Sequence, residues 1–156
     1  MRRWFILIAL LGAALPARAE HLPPITSETV KKECGACHMA YQPQFLPRES
    51  WQKILSRLPR HFGSNVALPE SKRQEIAAYH LANAADVSDT PEGRRYHDSI
   101  GKGATPLRIT HVPHWLSHHA RNVDPDVWKD WRIGGKGNCI ACHPGARDGR
   151  YSAGGD

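Results

Sequence analysis

Two copies of one five-residue pattern constrain this chain more than any other feature. Cys34-Gly35-Ala36-Cys37-His38 stands near the front and Cys139-Ile140-Ala141-Cys142-His143 near the end. Each reads C-x-x-C-H, the attachment pattern of a c-type haem. The chemistry dictates the order. Two thiols about one helical turn apart can add to the two vinyl groups on one porphyrin edge, and the adjacent histidine then lies under the iron. The chain has four cysteines, and the two patterns use them all. Two covalently bound haems c follow, with Cys34, Cys37, Cys139 and Cys142 as thioether sulfurs and His38 and His143 as the first iron ligands.

Two other uses of four cysteines compete with this one. A single four-thiolate zinc site would need neither trailing histidine, and the two pairs stand far apart in the chain. Two C-x-x-C disulfides would suit an exported protein but would close very small loops and add little stability.

Export is expected. Arg2 and Arg3 precede a short apolar run from Trp4 to Leu15, and Ala17-Arg18-Ala19 reads as a cleavage site. Residues 1–19 thus form a signal peptide, too short for a membrane span. Covalent haem attachment takes place outside the bacterial inner membrane, so a periplasmic location is expected. The formal charge of +6 falls to +3 once Arg2, Arg3 and Arg18 leave. Two haems bring four propionates and carry the balance to about −1. The basic composition is therefore no argument for nucleic acid or an anionic membrane as partner. Apolar content is modest, so two porphyrins must supply much of the core, and the apoprotein is expected to fold poorly.

Helices dominate the rest of the reading. Thr26 or Ser27 caps a helix running to about Cys37. Pro47 opens a second, with Trp51, Ile54, Leu55 and Leu58 on one stripe, ended by Pro59. A third runs from Glu70 to about Ala84. The second half is less regular: a short helix from Pro91 through Tyr96, an extended stretch 105–110, a helix from Pro113 to about Ala120, then a turn bearing Val127, Trp128 and Trp131. After Pro144 a frayed tail is expected. The division is signal peptide 1–19, first haem domain 20–86 and second haem domain 87–156.

Each iron needs a sixth ligand. Met39 follows His38 too closely to cross the ring, and Met1 is lost with the signal. Histidine, lysine, asparagine, water or an open position remain. For the first haem His61 is the choice, on a loop just past a helix end; His80 is the alternative, with a packed helix histidine as its ordinary role. For the second, His97, His111, His114, His118 and His119 are available. His119 shares the face of Trp115 and Leu116 on the Pro113 helix and is chosen, with His118 next.

Residues 26–85 resemble a trimmed class I cytochrome c in which histidine replaces methionine. More broadly, the stretches Glu33 to Tyr41, His61-Phe62-Gly63, Asn83 to Val87, Pro106 to Thr110 and Asn138 to His143 resemble the dihaem cytochrome c family usually called DHC. The resemblance implies a mostly α fold, with a class I-like first half and an irregular, haem-organised second half. It implies two bis-histidine haems, with His61 and His119 at the positions of the distal ligands. It implies periplasmic electron transfer, not catalysis, with a small high-spin monohaem cytochrome or a membrane cytochrome b as partner. Two low-spin haems without a vacant position can change oxidation state but bind no substrate. The competing class is a small peroxidase-like enzyme or gas-binding protein with one open, high-spin haem; a haem-based sensor would need a signalling domain for which the chain has no room.

Overall fold

The computed structural model describes residues 21–152 of the 156. The expected signal peptide lies outside the described residues. Five α-helices carry the fold: α1 (Glu28–Cys34), α2 (Arg48–Leu55), α3 (Glu70–Ala82), α4 (Pro91–Ser99) and α5 (Pro113–Asn122). Among the described residues there is no strand, only isolated bridges His21–Arg150 and His61–Ser64. No helix among them is long and apolar enough to cross a membrane. The mostly α expectation holds.

Local chemistry accounts for two of the helix starts. Ser27 Oγ accepts the backbone N–H of Val30 at the head of α1, and Thr90 Oγ1 accepts that of Gly93 at the head of α4. Each satisfies a backbone donor that the first helical turn leaves unpaired. The ends differ from expectation by a few residues. α1 stops at Cys34, the first residue of its haem motif, so Cys37 and His38 follow on the turn beyond it. α2 stops at Leu55, and Leu58–Arg60 forms a tighter turn around Pro59. α4 runs three residues past Tyr96. The stretch expected to be extended ends in a turn over Ile109–His111.

One apolar core draws on both halves of the chain. Val30, Trp51, Leu55, Leu58 and Ile76 join α1, α2 and α3, while Phe45 and Leu46 meet Tyr96, Val112 and Trp115 of the second half. Removing such side chains from water supplies about 1.5–3 kcal/mol each. α2 packs on α3, and α4 packs on α5 and on the Pro43–Phe45 turn. The stripe on α2 is as expected, with Trp51 and Leu55 buried and Leu58 continuing it beyond the helix.

The expected fraying after Pro144 does not hold through Tyr151. Ala146 is fully buried, and the Leu22 backbone N–H donates to Gly149 O at 2.9 Å. Gly149 has φ 80°, and a Cβ there would come within 1.9 Å of Leu22 O. Only glycine permits both the turn and the close approach of the lead-in chain. A glycine-rich, charged tail reads as loose because its anchor lies more than a hundred positions earlier.

Candidate functional site

The two motifs end on opposite kinds of support. Cys34 closes α1, whereas Cys139 opens a single tight turn, Cys139–Ala141. In each motif one sulfur is partly buried (Cys34, Cys139) and the other exposed (Cys37, Cys142). Burial pushes the Cys34 thiol up to about 11, with the Glu33 carboxylate adding to the rise. Burial likewise pushes Cys139 up to about 11.

Each motif histidine faces one other imidazole. The rings of His38 and His61 are 6.2 Å apart between centres and nearly parallel, at 23°. Those of His119 and His143 are 6.3 Å apart and nearly perpendicular, at 87°. Two imidazoles on opposite sides of one metal ion, each at about 2 Å, have ring centres roughly 6 Å apart. Both pairs therefore fit one iron between them.

Backbone carbonyls fix the ring tautomers. His38 Nδ1–H donates to Met39 O at 2.6 Å, and His119 Nδ1–H to Trp115 O at 2.9 Å. With the proton on Nδ1, Nε2 keeps the lone pair that a metal needs. His119 also stacks on Trp115, 3.9 Å between centres and 17° between planes. Burial lowers the His61 pKa, and the neighbouring His38 and Arg108 lower it further. Burial lowers that of His119 too; the bond to Trp115 opposes this, and His118, His143 and His114 add to it. Both shifts favour the neutral ring, the form that binds iron.

The alternatives fall elsewhere. His80 is almost fully buried, its Nδ1–H bonded to Ile76 O at 2.8 Å and its ring 4.4 Å from Trp51. It is a packed helix histidine. His118 lies beside His119 and 6.3 Å from His114. His114 Nε2 meets the buried Glu92 carboxylate at 3.0 Å. Leu116, expected on the face of His119, is 44% exposed, so Trp115 alone defines that face. Among the described residues no group of three or more His, Cys, Asp or Glu side chains is placed to hold a further metal ion.

Three residues at the site escape sequence reading. Tyr41 stacks on His38, 4.8 Å between centres at 21°, and its hydroxyl donates to Gly137 O at 2.8 Å, two residues before the second motif. Gln42 is fully buried; its Nε2 donates to Ala146 O at 2.9 Å. Tyr151 donates its hydroxyl to Gln42 Oε1 at 2.5 Å, while its ring lies 5.7 Å from His143. Burial pushes the Tyr41 phenol up to about 12 and the Tyr151 phenol far above its ordinary range. A hydrogen bond to a residue a hundred positions away leaves no local signal; only the run of polar and aromatic residues after His38 hints at it.

An all-helical chain with two C-x-x-C-H motifs, each paired with a second imidazole, defines a small two-centre c-type cytochrome. The sequence profile of the family described as Dihaem cytochrome c matches residues 30–151, and the chain belongs to that family. It accordingly takes two c-type haems, each with its iron. No curated protein sequence matches the chain. Three solved structures are similar. A diheme cytochrome c from Rhodobacter sphaeroides is 38% identical with a TM-score of 0.75, covering 83% of this chain and 99% of that one. The structure of DHC purified from Rhodobacter sphaeroides is 37% identical with a TM-score of 0.67, covering 81% and 98%. A diheme cytochrome type c from Shewanella baltica is 26% identical with a TM-score of 0.62, covering 78% and 84%.

Proposed function

We propose that the protein is a periplasmic electron carrier whose two haems are both low-spin and bis-histidine, ligated by His38 with His61 and by His143 with His119. The observation that carries this is the ring spacing, 6.2 Å in one pair and 6.3 Å in the other. When bound, the haems supply one-electron iron chemistry at potentials set by their ligands and surroundings. The chain's own residues do the rest. Imidazoles on both faces leave no position for a substrate or gas, so the protein has no enzymatic role. The carbonyl bonds of His38 and His119 hold those two rings in place, which keeps reorganisation small. Tyr41, Gln42 and Tyr151 tie the two motifs into one body. The amino-terminal signal directs export and is removed. Family membership suggests the partners: a small high-spin monohaem cytochrome, a membrane cytochrome b, or both, met in transient contacts.

Optical and EPR spectra of the holoprotein, with pyridine haemochrome quantitation, test the reading. Two low-spin haems per chain that bind no carbon monoxide are expected. His61→Ala should convert only the first haem to high spin and His119→Ala only the second, while His118→Ala leaves both low-spin. One high-spin, carbon monoxide-binding haem in the unsubstituted protein would overturn the carrier and favour peroxide or gas chemistry.

A further inference from the structure

His61 is delivered by a two-residue reverse turn. Its backbone N–H donates to Ser64 O at 2.8 Å, and the Ser64 N–H donates back to His61 O at 2.9 Å. Between them Phe62 has φ 49° and Gly63 φ 99°. Two left-handed residues make the tight turn that hairpins favour. Glycine adopts that conformation freely, whereas phenylalanine is strained in it. Phe62 is the only non-glycine residue with positive φ among those described, and its ring is 47% exposed. Neither turn geometry nor burial explains a phenylalanine here.

Its neighbours do. The Phe62 ring stands edge-on to His61, 4.8 Å between centres at 68°. Over the same ring lies the guanidinium of Arg108, with Cζ 4.2 Å from the ring centre. That is cation–π distance. Arg108 comes from the second half of the chain, at the head of the Ile109–His111 turn. Among the described residues it forms no ion pair with a carboxylate. Its positive charge is held one aromatic ring away from His61.

We propose that Arg108 raises the reduction potential of the first haem, with Phe62 as the residue that positions its guanidinium beside the distal ligand. The proposal rests on His61 ligating that iron. Reduction adds one electron and lowers the charge of the site by one unit, so a nearby cation stabilises the reduced state over the oxidised state. Arg108 is exposed, so salt screens part of this effect. The second site has only a looser counterpart: Lys136 Nζ lies 5.7 Å from the centre of the Trp128 ring, which is 6.1 Å from His119. The Arg108 stack is the tighter of the two, so its effect falls on the first haem.

The test is a spectroscopic redox titration of the full holoprotein carrying Arg108→Gln or Arg108→Lys, with His61→Ala used to assign the first haem. Arg108→Gln should move the first potential negative and leave the second unchanged, with both haems low-spin. Arg108→Lys, which keeps the charge, should restore most of the shift, and high salt should shrink the gap between wild type and Arg108→Gln. Unchanged potentials in Arg108→Gln would overturn the proposal. So would equal shifts in the two variants, or conversion of the first haem to high spin, since either would make Arg108 a support for the turn and not a source of charge. A high-spin first haem in the unsubstituted protein would sink the ligation reading itself, and this is visible before any variant is made.

Discussion

Ring planes distinguish two sites that ring distances make look alike. His38 and His61 are within 23° of parallel, while His119 and His143 cross at 87°. The difference has local causes. His38 is bonded to the carbonyl of the residue after it, whereas His119 is bonded one helical turn back and stacked on Trp115. Parallel axial imidazoles split the two iron d orbitals that overlap them; crossed imidazoles leave those orbitals nearly degenerate. Oxidised holoprotein should therefore give two distinct low-spin EPR signals, one resolved and rhombic, the other strongly anisotropic with a single large g value. His61→Ala should remove the rhombic signal and His119→Ala the anisotropic one. Two rhombic signals of equal kind would show that the second pair is not crossed in the holoprotein.

At the scale of elements, α2 is fastened to the Ala85–Val87 turn by one carboxylate. Both the backbone N–H and the Nε of Arg48 donate to Asp86, each at 2.8 Å. Burial pushes the Asp86 pKa up, but the side-chain and backbone bonds to Arg48 outweigh it, and the carboxyl is held below its ordinary value. A folded-state pKa below the unfolded one means stability that is present above the unfolded value, near 3.9, and lost as pH falls through the folded value. Arg48 is half exposed, so the whole contribution is at most about 1 kcal/mol. Asp86→Asn should thus lower stability by that order at neutral pH, and the deficit should shrink below about pH 4. Urea unfolding of the holoprotein across pH 3–7 measures it, and a deficit that persists unchanged at the acid end would rule out the charge as its cause.

For the molecule as a whole, the bonds that matter span the chain. Gln42 reaches Ala146 with one end of its amide and Tyr151 with the other. These bonds bring the segment after the first haem motif against the segment after the second. Gln42→Leu would leave the part-buried Tyr151 hydroxyl without its acceptor and take away one of the two donors to Ala146 O, the Gly149 N–H being the other, costing about 1–3 kcal/mol. Tyr151→Phe should cost about 1–2 kcal/mol. Because the two variants break one shared bond, the double variant should lose less than their sum. Thermal unfolding of the holoproteins checks this; strict additivity would mean that the two side chains act independently.

Much of the protein is written locally and was legible for that reason. Haem attachment needs two thiols and a histidine within five residues, so C-x-x-C-H can be read without knowing the fold. The starts of α1 and α4 are equally local, since Ser27 and Thr90 each cap a backbone group three residues ahead. The sequence alone also removed methionine from the candidate sixth ligands, leaving histidine, lysine, asparagine, water or an open position, with histidine the choice. What it could not do was choose among contacts formed by packing. The burial of His80 against Trp51, the docking of Gly149 under Leu22, and the Gln42–Tyr151 bond join residues from about thirty to more than a hundred positions apart. The Arg108–Phe62 contact is of the same kind. Such pairs carry no period and no fixed spacing, and they exist only once the helices have closed around one core. The sequence by itself determined the cofactor chemistry and the helical character. The tertiary structure decided which imidazole faces which, at what angle, and beside which charge.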